Sequence, residues 1–171
     1  QNDSFKSVSK YFDRITRPEQ ILSSLPQAIN TMLDPADCGP AVISMSQDVQ
    51  GEAFDYPEVF FEEKIHTIRR IYPDPNQIKK AAEKLKQSRQ PIIISGGGVL
   101  YSEAEQELSN FAKKHNIPVT ATVMGIGCMS KDDPYYISAI GCLGEGSSNN
   151  LATDTDLALA VGTKLGDFTT G

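Results

Sequence analysis

Apolar positions along the 171-residue chain recur with two periods, and the switches between them mark out the elements. Lys10 to Ile15 has the character of a short strand. Thr16 then precedes Pro18 and Glu19, which predicts a helix start capped by the Thr16 side chain. Ile21, Leu22, Leu25, Ile29, Met32 and Leu33 follow at spacings of one, three and four, the stripe of an amphipathic helix, with a kink or restart expected at Pro26. Asp34 to Pro40 reads as a turn and Ala41 to Met45 as a buried strand. Strand, helix and strand in this order imply a parallel pair joined by a right-handed crossover.

From Gln50 to Asp74 no period holds. Gly51, Pro57 and Pro73 punctuate a connecting segment, and Tyr56, Phe60 and Phe61 are expected to pin it to a neighbour. A second alternation begins at Pro75. Asn76 is the expected N-cap of a helix with Ile78, Ala81, Ala82 and Leu85 on one stripe. Ile92 to Ile94 reads as a fully buried strand, and Ser95-Gly96-Gly97-Gly98 follows at its carboxyl end. Ser102 and Glu105 fit a capping box for a helix bearing Ala104, Leu108, Phe111 and Ala112. Ile117 to Thr122 is the next strand, Ile137 to Ile140 a short irregular stretch, Ser147 to Ala152 a small-residue helix. Asp156 to Val161 is a further strand, closed by Gly162-Thr163-Lys164 as a strand-end turn. The alternation predicts an α/β fold with a parallel, doubly wound, Rossmann-like sheet whose glycine-rich turns lie at the edge where such sheets bind ligands.

Composition narrows the function. Hydrophobic residues are 39% and charged residues 22%, which suits a folded core and argues against disorder. A net charge of −6 without a basic cluster argues against nucleic acid and against a membrane surface as partners. No apolar run reaches the ~18–20 residues that span a bilayer. Cys38, Cys128 and Cys142 are odd in number and lack a C-x-x-C pair, so neither a disulfide framework nor a zinc site is implied. Buried free thiols of a reducing, cytoplasmic protein are the expectation.

Candidate chemistry is sparse. Gly96, Gly97 and Gly98 are the one set of candidate cofactor-binding residues, because backbone N–H groups of a strand-to-helix turn can hold a nucleotide or flavin phosphate. The competing readings are a tight turn with close helix–strand packing, or a role in domain packing. The G-x-G-x-x-G fingerprint fails from Gly96, Gly125 and Gly144, where Tyr101, Ser130 and Asn149 stand at the third glycine. His66 and His115 belong to no Ser/His/Asp or Cys/His set, and no metal-ligand spacing occurs. The expectation is therefore no catalytic residue and no metal site within the chain.

Several stretches together resemble one family. They are Thr16-Arg17-Pro18-Glu19-Gln20, Asp34-Pro35-Ala36-Asp37, Ser46 to Pro57, Gly96 to Ala104, and Val161-Gly162-Thr163-Lys164 with Asp167-Phe168-Thr169-Thr170. In that order they resemble the thiamine-diphosphate-dependent trihydroxycyclohexane-1,2-dione hydrolases of bacterial inositol catabolism. The stretch Gln47-Asp48-Val49-Gln50-Gly51-Glu52-Ala53 is the most specific, with Gln47 standing where the wider superfamily usually has Pro. The resemblance implies three assignments. Residues 1–50 would be the last strand–helix–strand of a pyrimidine-binding domain, 51–74 a linker, and 75–171 a C-terminally truncated central domain. With Gln1 in place of Met and a last residue just beyond a strand and turn, a piece of a longer chain is expected.

The parent would be a homo-oligomer that opens a small cyclic diketone to 5-deoxyglucuronate with thiamine diphosphate and Mg²⁺. This stretch itself would be non-catalytic, with no cofactor bound and no Gly-Asp-Gly signature. Two alternatives stand beside it. One is the central domain of an acetohydroxyacid synthase or glyoxylate carboligase, which would hold flavin. The other is a free-standing nucleotide-binding module. An isolated piece is also expected to self-associate through Ile21, Leu25 and Ile29.

Overall fold

The computed structural model describes residues 2–170, and the chain divides into two compact units, Gln1–Pro73 and Asp74–Gly171.

In the first unit a 3-10 helix, Asn2–Val8, leads to strand β1, Tyr11–Ile15. Helix α1, Ile21–Met32, follows, then strand β2, Ala41–Met45, and one turn of helix, α2, Gln47–Gln50. β1 and β2 pair in parallel from Tyr11 opposite Ala41 to Ile15 opposite Met45, as the alternation predicts. The start of α1 differs from expectation. A 3-10 turn, Pro18–Gln20, precedes it, and the cap comes from the other end of that turn: the Gln20 side-chain oxygen accepts from the N–H groups of Thr16 (2.7 Å) and Arg17 (3.0 Å). Pro26 does not restart the helix, which runs through it. The ring forfeits the one bond that would reach the Leu22 carbonyl.

α1 buries Ser24 and Ala28 against the strands. The Ser24 hydroxyl donates to the Asp13 carboxylate on β1, and that bond is the main reason the Asp13 carboxyl sits below its ordinary pKa, helped by the Arg14 N–H and the Tyr11 hydroxyl. On the rest of α1, Ile21 and Ile29 are half-buried and Leu25 is exposed. In the connecting segment, the Tyr56 ring packs on Phe54 at 4.9 Å and on Phe60 and Phe61 at 6.0 Å each. Its hydroxyl donates to the Pro18 carbonyl at 3.3 Å, so the expected pinning is to the start of α1.

The second unit opens with helix α3, Pro75–Gln87, and strand β3, Pro91–Ser95. Helices α4, Gly97–Tyr101, and α5, Glu105–His115, lead to strand β4, Val119–Ala121. Strand β5, Tyr136–Ala139, helix α6, Gly146–Thr153, strand β6, Leu157–Val161, and helix α7, Asp167–Thr170, follow. The four strands form a parallel sheet ordered β5-β4-β3-β6. Ile92 and Ile93 of the inner strand β3 are fully buried on opposite faces. Ile93, Val119 and Ala121 pack with Leu108 and Ala112 of α5 on one face, while Ile92, Ile94 and Ile140 pack with Leu151 and Ala152 of α6 on the other. Helices on both faces are what same-handed crossovers require when successive strands step outward in opposite directions.

Three local expectations in this unit are corrected. The N-cap of α3 is Asp74, whose carboxylate accepts from the Asn76 N–H at 2.8 Å, with Pro75 at the first helical position. Ser102 ends α4 rather than capping α5, and the residue before α5 is Ala104 with no side-chain cap. Tyr136–Ala139 is a true strand, obscured in sequence because its pairing with β4 is irregular between Val119 and Ala121. The α3 stripe lies on a helix as predicted, yet only Leu85 is half-buried and Ile78 is 54% exposed. Among the described residues no helix is long and apolar enough to cross a membrane.

Candidate functional site

The carboxyl ends of β3, β4 and β6 bring three turns together, and the sequence-predicted glycines lie there. In a doubly wound sheet the ligand crevice forms where consecutive crossovers leave in opposite directions. That point falls between β3 and β6, because β3 continues to β4 on one side while β6 lies on the other.

The crevice is closed by the chain itself. The Gly96 N–H donates to the Val161 carbonyl and the Gly98 N–H to the Gly162 carbonyl, each at 2.9 Å, and the Val99 N–H donates back to Gly96 at 3.1 Å. The Gly98 and Val99 N–H groups are among the amides that a phosphate at such a turn would use. A Cβ on Gly98 would come within 2.6 Å of the Gly162 Cα, and one on Gly96 within 2.4 Å of the Gly162 carbonyl. Gly162 meets them at φ +61°, a left-handed conformation that favours glycine. Gly97 packs instead towards the Met124 carbonyl, 3.0 Å from a built Cβ. At Gly96 and Gly98 two backbones thus cross in contact. α4 spans five residues, too few to add a helix-end field.

Beside this crossing lies a shallow cavity of about 320 Å³, bordered by Gly97, Tyr101, Met124, Lys164 and Phe168. Tyr101, Met124 and Phe168 are each more than two-thirds exposed.

Beneath the turns is a buried polar layer. The Ser95 hydroxyl donates to the Thr120 carbonyl at 3.0 Å and contacts the Cys128 sulfur at 2.7 Å, while Thr120 bonds the Ile93 carbonyl at 3.2 Å. Burial pushes the Cys128 thiol up, despite the bond to Ser95, so it remains a protonated, inert thiol. The expectation of buried cysteines holds for Cys128 alone. Cys38 and Cys142 are exposed, because both sit in loops after secondary-structure elements rather than on a core face. His66 is exposed in the connecting segment, and His115 is exposed at the end of α5 with its ring 4.6 Å from Phe111. Among the described residues no three His, Cys, Asp or Glu side chains gather where a metal ion could be held.

One carboxylate with a structural role is hard to find from the sequence. Asp156 accepts from the Ser88 hydroxyl, from the Arg89 N–H at 2.8 Å and from the Gln90 N–H at 3.1 Å. The Ser88 bond chiefly, then the two backbone bonds, hold its carboxyl below the ordinary value. Asp156 fastens the α3–β3 turn to the start of β6. Its one sequence signal is an aspartate directly before an apolar strand, and its partners lie 66 to 68 residues away.

Comparison with known proteins gives three findings. The family described as "Thiamine pyrophosphate enzyme, central domain" matches residues 78–171. A protein of Bacillus thuringiensis (strain Al Hakam), named 3D-(3,5/4)-trihydroxycyclohexane-1,2-dione hydrolase, is 42% identical over 169 residues. One of the same name from Clostridium tetani is 43% identical over 169. Those matches cover 99% of this chain, which spans 26% of the length of either relative. The crystal structure of benzoylformate decarboxylase from Polynucleobacter necessarius superposes with a TM-score of 0.74 at 22% identity, covering 92% of this chain and 29% of that one. At that identity the likeness speaks for the fold.

Proposed function

Because this chain belongs to the central-domain family of thiamine pyrophosphate enzymes, we propose that it is the scaffold portion of a hydrolase that opens the ring of trihydroxycyclohexane-1,2-dione. The observation that carries this reading is identity of 42% sustained over 169 residues to proteins named for that reaction. In this reading residues 1–50 close a pyrimidine-binding domain, 51–74 connect, and 75–171 form the central domain. The whole enzyme is a cytoplasmic homo-oligomer of inositol catabolism that takes a small cyclic diketone, thiamine diphosphate and Mg²⁺.

The residues of this chain do not fit thiamine diphosphate or its magnesium. A diphosphate with a divalent ion needs converging oxygen ligands and free amides. Among the described residues no carboxylate cluster converges, and the Gly96, Gly98 and Val99 amides at the sheet's ligand edge are spent on the chain's own carbonyls. No chemical step is assigned to these residues. Their task in this reading is to hold neighbouring domains at a fixed spacing. Gly96, Gly97 and Gly98 act as packing glycines, and a nucleotide or flavin phosphate at that turn is the competing reading.

The test is turnover of the diketone by the full-length gene product supplied with thiamine diphosphate and Mg²⁺, beside the 171-residue chain under the same conditions. Ring opening by the first and none by the second is expected. Activity of the short chain alone, or a full-length protein that instead ligates 2-keto acids, overturns the proposal.

A further inference from the structure

Each unit has its own parallel strands, and so its own carboxyl edge, where open α/β sheets bind ligands. In the second unit backbone crossings fill that edge. In the first it is polar and exposed. β1 and β2 are last paired at Ile15 opposite Met45. Arg17 and Gln47 stand at equal distance along the chain beyond that pair, and both are exposed.

The loops that carry them are held in place. The Gln20 side-chain oxygen accepts from the Thr16 and Arg17 N–H groups, and from the Thr16 hydroxyl at 3.1 Å. Pro18, the next residue, is buried, and the Tyr56 hydroxyl donates to its carbonyl. Around Gln47, the Gln50 side-chain amide donates to the Met45 carbonyl and the Gln50 N–H to the Ser46 carbonyl, each at 3.2 Å.

The Arg17 guanidinium is left over. The ion pairs among the described residues are Lys6 with Asp3 and Lys10 with Asp37, so neither Glu19 nor Asp48 neutralises it. Bonds from the Ser46 hydroxyl and the Val49 N–H hold the Asp48 carboxyl below its ordinary value. An unpaired guanidinium on a fixed loop offers a fork of donors that matches a carboxylate. In a chain of net charge −6, capture of an anion needs such a local cation.

The reaction proposed above creates a carboxylate. When water cleaves the bond between the two carbonyl carbons of a cyclic 1,2-diketone, its hydroxyl stays on one carbon as a carboxylic acid. Its hydrogen goes to the other carbon as an aldehyde. The acid loses its proton at neutral pH, so the substrate is neutral and the product anionic. We propose that Arg17 is a product-binding residue of the whole enzyme, paired with the carboxylate of the open-chain sugar acid, while the Gln47 amide at the same edge bonds one of its hydroxyls. The proposal rests on that reading of the reaction. Neither side chain makes or breaks a covalent bond.

Inhibition of the full-length gene product tests it, with the diketone as substrate, D-glucuronate as the sugar-acid probe and D-glucose as its neutral counterpart. Glucuronate should inhibit more strongly than glucose. Arg17→Gln should raise the inhibition constant of glucuronate about 10-fold or more, as loss of a charge-assisted pair does. KM for the neutral diketone should move by less than about 2-fold. Arg17→Lys, which keeps the charge and loses the fork, should fall between. An unchanged inhibition constant in Arg17→Gln overturns the proposal. So does an equal rise in KM, which marks damage to the whole site, or an equal effect of Arg14→Gln, which marks long-range charge alone. If Arg17→Gln does not fold, Arg17→Lys carries the comparison. Direct titration of glucuronate separates this site from the reaction. Arg17-dependent binding in a full-length protein that leaves the diketone intact would defeat the proposed reaction and leave the site standing. Turnover with binding indifferent to Arg17 would defeat the site alone.

Discussion

Both units of this molecule contain a parallel strand pair joined through a helix, yet they bury very different cores. In the first, β1 and β2 carry α1, and Ile15, Pro18, Ala28 and Val49 are the buried apolar residues among those described, with the strands otherwise half-buried or exposed. In the second, the corresponding crossover is flanked by further strands and covered from both faces, and Ile92, Ile93, Val119 and Ala121 are all fully buried. The difference lies in layering: a sheet covered by helices on both faces excludes water from its inner strand, whereas a strand pair with one helix cannot.

Matched truncations in the two units probe that difference. Ile93→Ala on β3 should cost about 3–4 kcal/mol, because the sealed interior leaves a cavity that cannot collapse. Ile43→Ala on half-buried β2 should cost about 1 kcal/mol, close to the transfer term alone. Urea unfolding followed by resonances from each unit measures both, and equal costs would mean that the first unit is as well sealed as the second. Gly98→Ala comes next, at about 1–3 kcal/mol, since its methyl would press on backbone that cannot swing aside. Among the described residues of the first unit the tightest glycine, Gly39, faces a side chain instead of a crossing backbone: a methyl there would meet the Cγ and Cβ of Lys10, at the root of that side chain, so Gly39→Ala should be destabilising as well.

The smallest effect is in the pH dependence. Asp156 in the second unit is held below the ordinary aspartate value of 3.8. A carboxylate depressed in the folded state adds stability that is complete above the unfolded pKa and is lost as pH falls through the folded one. Asp156→Asn should therefore flatten the loss of second-unit stability between about pH 5 and the acid limit, and leave the first unit's profile unchanged. An unaltered acid profile would show that the clamp contributes nothing measurable. Asp13 plays the equivalent part in the first unit through Ser24, so Asp13→Asn should produce the converse pattern.

Much of this architecture was legible because periodicity is local. The stripes of α1 and α5 and the isoleucine run of β3 announce themselves within a few residues of each other. What stayed hidden depends on partners far away. Gln20 caps its turn through a 3-10 segment that propensity does not reveal. β5 could not be told from a loop, because its irregular pairing is a property of β4 as much as of its own residues. The glycine run was legible as a strand-end turn, but whether it faces a ligand or another backbone depends on Gly162, 64 residues beyond Gly98. Asp156 was overlooked for the same reason.

At the ligand edge of this sheet the Gly96 and Gly98 amides bond to the carbonyls of Val161 and Gly162, which leaves that edge poorly suited to a phosphate. Isothermal titration of the 171-residue chain with ADP, with FAD, and with thiamine diphosphate plus Mg²⁺ tests it most directly. No saturable heat is expected from any of the three. Stoichiometric binding of one of them, lost in a Gly98→Ala variant shown to be folded, would contradict it.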